Sequence, residues 1–335
     1  MGIADFLPLF AVTVNGVPLG LGTVSSLSSI RVTDASGLES DTCELVFTNG
    51  GLGALFGMPS PGAEIFVAMG AGLAFRNMGI YVADEVEESG PPRVISVVGR
   101  AKAQGETQSG WAPISQQKTR SWEAGKTLGE IVETIAGENG LRPGATSSAA
   151  AIVPGHLDQI DESDLALLSR VAARFDLITK PAGGVLFVGK KGEGITASGG
   201  ATPTVPLLAT QITRWAMRRS LGETVGSVVA TWRDLEAAED IEVTAGEGEP
   251  VRRLRERFRD EGQATEAAEA ELERSKRRKE TLEVTLPGNP SIVADGKVAM
   301  IGPSGAASGL WVVKTATHSI TDAGFTTSFS AERPA

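Results

Sequence analysis

The sequence has very little cysteine and very little histidine. Its single cysteine, Cys43, cannot form an intrachain disulfide, which fits folding in a reducing cytosol. The two histidines, His156 and His318, lie far apart in the chain, and no Cys/His cluster with metal-ligand spacing occurs. A zinc site therefore has no support in the sequence. We expect no metal, no cofactor and no catalytic residue in this chain.

Aromatic residues and long apolar runs are also scarce. Aromatics make up 5% of the chain, and no apolar run approaches the roughly 18–20 residues of a membrane-spanning helix. The amino-terminal residues carry Asp5 and lack a basic region, so they do not resemble a signal peptide. These absences predict a protein that is made in the cytoplasm and does not insert into a membrane.

Positive charge is the third shortage. Lys and Arg number 31 against 41 Asp and Glu, which gives a formal net charge of -10. A chain this acidic is poorly suited to gripping nucleic acid, because that requires neutralising phosphates. It is better suited to lining a passage to which nucleic acid must not adhere.

Turn residues, in contrast, are abundant, with 41 glycines. Residues 9–100 and 207–335 both read as short strands separated by Gly, Pro, Asn and Ser, which favours antiparallel barrels or sandwiches. Within the second region, residues 251–280 predict one long charged helix. The predicted fold class is α+β and mainly β, with two tube-like antiparallel β-barrels.

The block between these regions predicts a small inserted α+β domain. Thr127 and Glu130 form a T-x-x-E capping box, and an apolar helical face follows until Asn139-Gly140 ends the helix. A second helix opens at Asp161-Glu162-Ser163-Asp164, whose acids suit the positive end of the helix dipole, and a hairpin follows it. We expect the buried stripe of the second helix to contain Leu165, Leu168, Val171, Ala172 and Phe175.

Three short segments of the first β region reappear in the same order in the last. The matches are residues 43–47 with 282–286, residues 62–67 with 295–300, and residues 79–83 with 309–313. Three matches in the same order predict two related barrels in one chain. We therefore place a first barrel at residues 1–105, the inserted domain at 106–205, and a second barrel with the long helix at 206–335.

Catalytic motifs are not evident. Gly125-Lys126-Thr127 looks like the end of a phosphate-binding loop, but Arg120 occupies the position of the required glycine. A helix N-cap already explains Thr127. No Gly-x-Ser-x-Gly elbow occurs, and the carboxylates fall mostly in charged helices and loops. The sequence thus favours a protein that is not an enzyme.

The predicted helix at 251–280 has basic ends and an acidic centre. One interpretation is a surface helix with i,i+4 ion pairs that packs a thin apolar stripe on a barrel. Two others remain open at this point. The helix could form a contact between subunits, or its basic ends could bind nucleic acid.

Two motifs in the inserted block carry a family resemblance. R-S-W-x-x-x-K-T-L-x-x-I-V-x-x-I-A begins at Arg120, and H-L-D-Q-x-x-E-S-D-L-x-L-L-x-R-x-A begins at His156. Together with the runs at 266–290 and 310–332, they resemble the phage late control gene D protein family. These are tail hub proteins of contractile-tailed phages, related to the hub half of VgrG spikes.

The resemblance implies a structural protein of the tail baseplate, located in the virion and assembled in the host cytoplasm. It implies a homotrimer whose six barrels form a ring that adapts the six-fold tail tube to the three-fold spike. The implied partners are the tail tube or a tube-initiator protein, a separate spike protein and the tape measure protein. DNA is expected to pass through the lumen without specific binding.

Two rival functions also remain open. The first is a tail-associated enzyme that degrades peptidoglycan, which a zymogram with the purified protein would reveal. The second is a nucleic-acid-binding regulator, which would bind DNA tightly and with strong salt dependence. The acidic balance argues against the second.

Overall fold

A computed structural model describes residues 8–37, 41–48, 59–72, 74–101, 113–182, 184–191, 204–220 and 225–334. Most strands of these ranges belong to one 13-stranded sheet, and the remainder form three small sheets. Antiparallel pairs predominate, and helices are few and mostly short. The predicted fold class, α+β and mainly β, is confirmed.

Residues 8–101 build the first half of the long sheet. The elements are β1 (Pro8–Val14), β2 (Val17–Pro18), α1 (Leu21–Ser26), β3 (Leu27–Ala35), β4 (Thr42–Thr48), β5 (Glu64–Ala71), β6 (Ala74–Ser89) and β7 (Val94–Ala101). They pair in the order β3-β4-β7-β6-β5-β1-β2. Alternate side chains enter one core, so Ile30 and Val32 of β3 are buried while Arg31 between them is exposed.

The inserted block has its own core. Its elements are β8 (Gln117–Trp122), α2 (Leu128–Glu138), β9 (Arg142–Ala145), α3 (Ser147–Ala150), β10 (Leu157–Ser163), α4 (Asp164–Arg174), β11 (Leu177–Ala182) and β12 (Val185–Lys190). The predicted capping box at Thr127 is present, and so is the predicted hairpin. In α4 the fully buried residues include Leu167, which the predicted stripe omitted, while Leu165 and Phe175 are only partly buried.

Residues 204–334 build the rest of the molecule. The elements are β13 (Val205–Leu208), β14 (Arg214–Arg219), β15 (Ser227–Asp234), β16 (Glu239–Gly246), β17 (Val251–Phe258), α5 (Glu261–Arg278), β18 (Glu280–Pro287), β19 (Lys297–Ile301), β20 (Gly309–Thr321) and β21 (Gly324–Glu332). The second half of the long sheet runs β14-β18-β21-β20, with β19 and β13 beyond β20. Antiparallel pairing of β20 with β3 joins the two halves.

The predicted internal repeat is present in the strand register. Ile65 lies opposite Tyr81 in the first half, and the matching Val298 lies opposite Trp311 in the second. Both aromatic side chains are fully buried. The Tyr81 hydroxyl donates to the carbonyl of Met78 at 2.8 Å, and the Trp311 indole N–H donates to the carbonyl of Ala307 at 2.8 Å.

The irregularities of the two halves match as well. The β6–β7 ladder shifts register between Ala83 and Glu85, and the β20–β21 ladder shifts between the matching Val313 and Thr315. In each half a residue with positive φ also precedes an equivalent strand. It is Gly62 before β5 in the first half and Asp295 before β19 in the second. Because bulges and left-handed residues are specific backbone features, their shared positions make the two halves structural repeats.

We expect Tyr81→Phe to lower the free energy of unfolding by about 1 kcal/mol, because it removes one buried hydrogen bond and leaves the ring in place. Urea denaturation of the wild-type and variant proteins measures the difference. An unchanged midpoint would mean that the carbonyl of Met78 does not depend on this hydroxyl.

The predicted helix at 251–280 is wrong over its first third. Val251–Phe258 form β17, and α5 begins only at Glu261, after the side chain of Asp260 accepts the amide of Gln263. Parallel pairing with β15 decides the conformation of the first segment. Its arginines suit a strand because they reach carboxylates of β16, with Arg253 at 2.5 Å from Glu242.

The assignment of all strands after residue 206 to one barrel is also wrong. β15, β16 and β17 form a separate sheet, and α5 packs against it around a core of its own. The sequence did not show this because a strand reads the same whichever sheet it joins. In the second half, only β13, β14 and β18–β21 belong to the long sheet.

Candidate functional site

One face of the long sheet is polar along both repeats. We call it the open face. It runs from β14 across to β6, and its side chains alternate with those of the buried cores. Its members include Arg31, Thr33, Glu44, Ser96, Glu283, Thr285, Thr315, Thr317, Ser328 and Ser330. Serine and threonine dominate it, and oppositely charged residues occur side by side, as in the 3.3 Å pair of Arg31 and Glu44.

The open face is concave within the second repeat. A groove of about 380 Å³ crosses β14, β18, β21 and β20, and Arg214, Glu283 and Thr317 are among the residues that line it. Its walls are mostly polar side chains, and the one aromatic ring among them is that of Phe329. This composition is typical of a wetted surface and not of a pocket for a small ligand, which is mostly apolar.

Two stretches of strand on this sheet have one open hydrogen-bonding edge. The β14 edge is Arg214–Arg219, which pairs with β18 on one side only. The β6 edge is Glu85–Ser89, which pairs with β7 on one side, while β5 covers the other side only as far as Val82. No other strand of the described residues pairs with either edge.

A cluster of charges lies where the two repeats meet the inserted block. Lys180 on β11 places its ammonium 2.9 Å from Asp34 and 2.6 Å from Asp41, and donates to the carbonyl of Ala35 at 3.1 Å. All three charged side chains are about four-fifths buried. We call them the Lys180 cluster.

The two carboxylates of the Lys180 cluster share one ammonium, and their pKa values shift in opposite directions. Burial disfavours the charged form of Asp34, but the attraction of Lys180 outweighs burial and lowers the pKa of this group. Burial, together with the neighbouring charge of Asp34, raises the pKa of Asp41 to about 6, although Lys180 acts to lower it. Burial also opposes the charge of Lys180, but both carboxylates raise its pKa overall.

The family motifs meet at a second buried charge, Asp164. Its fully buried carboxylate accepts from Lys118 at 2.6 Å, Arg120 at 2.6 Å, Gln159 at 3.0 Å and Asn139 at 3.1 Å. Burial disfavours the charge, yet these donors outweigh it and lower the pKa. We call these residues the Asp164 cluster.

Trp122 completes the arrangement around Asp164. Its indole N–H donates to the amide oxygen of Gln159 at 3.3 Å, and the guanidinium of Arg120 lies 4.3 Å from its ring centroid. Four motif positions, Arg120, Trp122, Gln159 and Asp164, therefore share one polar core, to which Lys118 of β8 and Asn139 at the end of α2 also contribute. In this protein the motif specifies packing of the inserted block.

The two histidines lie in ordinary structural positions. His318 is fully buried, its Nε2 donating to the carbonyl of Ile292 and its Nδ1 accepting from Thr327, each at 3.0 Å. Burial lowers its pKa to about 4. His156 is exposed, with Nε2 3.0 Å from Asp158. Among the described residues, no group of three or more His, Cys, Asp or Glu could hold a metal ion.

Lys126 and Thr127 act as a helix start. The hydroxyl of Thr127 accepts the amide of Glu130, and the carboxylate of Glu130 accepts the amide of Thr127 at 2.7 Å. Lys126 lies over the ring of Trp122, 5.7 Å from its centroid. These contacts account for the residues that looked like part of a phosphate-binding loop.

α5 contacts the inserted block through charged residues. Arg174 of α4 lies 3.3 Å from Glu266, and Arg277 contacts Asp176. A groove of about 700 Å³ lies beside these pairs, with Arg170, Arg255 and Arg259 among its lining residues. Of the three interpretations of this helix, the surface helix with ion pairs matches the contacts within the chain in part. Its pairs are spaced i,i+3, as in Lys276 with Glu273, and it packs on the β15–β17 sheet instead of a barrel.

Comparison with known families decides what kind of protein carries this fold. A family model described as phage tail baseplate hub (GPD) matches residues 110–324, which include both motifs and most of the second repeat. The chain belongs to this family. The resemblance inferred from the motifs is thereby confirmed, and the hub protein is a component of a phage tail.

Relatives of the hub protein agree in sequence and in fold. A probable baseplate hub protein of Escherichia phage 186 is 26% identical over 371 aligned residues, which cover 97% of this chain and 92% of the relative. The 43 kDa tail protein of prophage MuSo2 from Shewanella oneidensis has the same fold, with a TM-score of 0.69, 16% identity and 98% of both chains covered.

The fold is also similar to that of a type VI secretion component. The Escherichia coli c3393 protein is a type VI secretion component described as structurally similar to the T4 tail proteins gp27 and gp5. It matches the hub protein with a TM-score of 0.57 and 11% identity, over 96% of this chain and 76% of its own. Among the described residues of the hub protein, no helix is long and apolar enough to cross a membrane.

Sequence reasoning missed the residues that hold the parts together. The Lys180 cluster joins residues 139 and 146 positions apart, so no local pattern signals it. The β14 edge did leave a signal, because Arg214, Arg218 and Arg219 place three positive charges in one predicted strand of an acidic chain. Basic residues on strand edges are a common defence against unwanted pairing.

Proposed function

We propose that the hub protein forms a homotrimeric ring that joins the tail tube to the spike. The observation that carries this proposal is the structural repeat. Each chain holds two copies of one strand arrangement, already joined side by side through β3 and β20. Three such chains supply six similar units, which is what an adaptor between six-fold and three-fold parts requires.

In the proposed ring the open face lines the channel through which DNA passes. Its serines and threonines present hydroxyl groups to a polyanion, Arg31 is paired with Glu44, and the described residues of this face form no continuous basic track. Such a surface binds DNA weakly, because affinity for DNA depends chiefly on cations at the phosphates.

The inserted block and the β15–β17 sheet with α5 are the proposed contact surfaces for other tail parts. The domain limits that we propose remain near residues 105 and 205. Partners on the two sides of the ring would be the tail tube or a tube-initiator protein and a separate spike protein. The tape measure protein is a further proposed partner.

Cryo-electron microscopy of the parent particle, with light scattering of the purified protein, tests the proposal. We expect three copies of the chain in a closed ring at the junction of tube and spike. A stable monomer that is absent from particles would contradict it. A zymogram that shows clearing of peptidoglycan by the purified chain would instead favour the enzymatic alternative.

A further inference from the structure

Comparison of the two repeats predicts a second joint that is equivalent to the joint between β3 and β20. β4 corresponds to β18, so β3, which pairs with β4, corresponds to β14, which pairs with β18. β7 corresponds to β21, so β6 corresponds to β20. The counterpart of the β3–β20 joint is therefore a joint between the β14 edge and the β6 edge, each of which is paired on one side only within the chain.

We propose that the β14 edge of one chain pairs antiparallel with the β6 edge of the next copy of the same chain. This inference rests on the proposed ring and names the strands that close it. β14 and β6 lie at opposite ends of the shared sheet order β14-β18-β21-β20-β3-β4-β7-β6. Pairing them between copies is a head-to-tail contact, which generates a ring when the rotation closes.

The repeat also fixes the register of this contact. In the chain, Thr317 lies opposite Thr33. Thr33 lies opposite Thr42, whose position in the repeat is that of Thr281, and Arg218 lies opposite Thr281. Arg218 is thus the counterpart of Thr33.

The other side of the register follows in the same way. Thr317 lies opposite Ser328, and Glu87 lies opposite Ser96. Ser328 and Ser96 hold the same position in the two repeats. Their chain neighbours show this, because Phe329 lies opposite Val284 and Val97 lies opposite Leu45, and Val284 and Leu45 match in the repeat. Glu87 is thus the counterpart of Thr317, and the register places Arg218 of one chain opposite Glu87 of the next.

The charges of the two edges complement each other. The β6 edge carries Glu85, Glu87 and Glu88, and the β14 edge carries Arg214, Arg218 and Arg219. Neither Glu87 nor Arg218 has an ion-pair partner among the described residues. Within the chain the same position is a neutral contact, with the hydroxyls of Thr33 and Thr317 3.4 Å apart. Directly opposed opposite charges stabilise an antiparallel pair and set its register.

The exposure of an apolar side chain on β14 also supports pairing of the β14 edge. Trp215 corresponds to Ile30 in the repeat, because both lie opposite the matching Val284 and Leu45. Ile30 is 1% exposed, whereas Trp215 is 38% exposed. β20 lies alongside β3 and covers its edge, while nothing among the described strands covers β14. A neighbouring β6 edge would supply the missing cover.

Paired cysteines test the register directly. The variant carrying Glu87→Cys and Arg218→Cys should form a disulfide between chains on mild oxidation, because opposed residues of antiparallel strands lie about 4.5–5.5 Å apart at Cα, within disulfide range. Non-reducing electrophoresis should show a ladder ending at the trimer. The native Cys43 is buried and should not interfere.

The matched control pairs Glu87→Cys with Arg214→Cys, four residues further along the same strand. That separation is about 13 Å in a strand, so this variant should not crosslink. Equal crosslinking by both variants, or crosslinking by the control alone, would overturn the proposed register.

Charge reversal provides an independent test. Glu87→Arg and Arg218→Glu should each raise the concentration for half-assembly by at least about tenfold, because like charges would face each other. The double variant should restore assembly, since each chain would then present Arg at 87 to Glu at 218. Glu236→Arg, in the exposed turn between β15 and β16, is the control and should assemble normally.

The tests separate this inference from the proposed function. If the protein forms trimers and enters particles, but the 87–218 pair does not crosslink and charge reversal has no effect, the strand contact is wrong and the hub role stands. If the wild-type protein neither forms trimers nor enters particles, the proposed ring itself fails.

Discussion

Replacing Asp164 with asparagine is expected to lower the free energy of unfolding of the inserted block by about 3–5 kcal/mol, the usual cost of breaking a buried ion pair. The carboxylate is fully buried and accepts from two cations, Lys118 and Arg120. Asparagine keeps the volume but leaves both cations to Glu138 alone, which lies nearer the surface. Urea denaturation followed by circular dichroism measures the loss.

The matched control for this prediction is Asp158→Asn, in the same strand region. Asp158 is 40% exposed on its side chain and pairs with His156, so its loss should change stability little. Equal effects of the two variants would mean that burial of Asp164 does not matter.

The effect of Asp164→Asn should also depend on pH. The folded-state pKa of Asp164 lies below its ordinary value of 3.8. Its contribution to stability is therefore present above that value and is lost as the pH falls through the folded-state pKa. The difference between wild type and variant should be largest near neutral pH and should shrink in strong acid.

Lys180→Met is expected to cost a similar amount, about 3–5 kcal/mol near neutral pH. Methionine fills the space of the lysine stem but leaves Asp34 and Asp41 buried together without their cation. Lys190→Met, on the exposed end of the neighbouring β12, is the matched control and should change stability little. Thermal or urea denaturation compares the three proteins.

Acid should partly rescue the Lys180→Met variant. The pKa of Asp41 is already raised from its ordinary value of 3.8 to about 6, and it should rise further without the ammonium. A carboxyl whose folded-state pKa is raised contributes stability at low pH and loses it as the pH rises. The variant should therefore recover part of its stability as the pH falls from about 6 towards 4. A deficit that does not change with pH would contradict this account.

Local patterns predicted the parts of the fold that depend on neighbouring residues. The capping box at Thr127 and the strands of the repeat follow from contacts a few residues apart or from a pattern present twice. The predicted helix at 251–258 failed because an arginine-rich segment suits either a helix or a strand, and pairing with β15 decided it. Such pairing joins distant residues and leaves no local trace.

The site was partly predictable for the same reason. The motifs around Arg120 and His156 identified the family correctly, but they gave no hint that Asp164 is their centre. Its donors come from three other elements, with Lys118 46 residues away. The open edges became recognisable only when the two repeats were compared strand by strand.

The joint between β3 and β20 has a consequence for synthesis of the chain. Thr33 and Thr317 are 284 residues apart, so a ribosome working at about 5–20 residues per second exposes the edge of β3 for about 15–60 s before its partner is made. An unpaired edge invites pairing with whatever strand is near. A nascent chain would thus offer β3 to the β6 edge of a finished copy, which resembles its own missing partner. A high concentration of finished copies during synthesis would then favour chains in which β3 is paired with the β6 edge of another copy. Slowing translation should increase the yield of such chains.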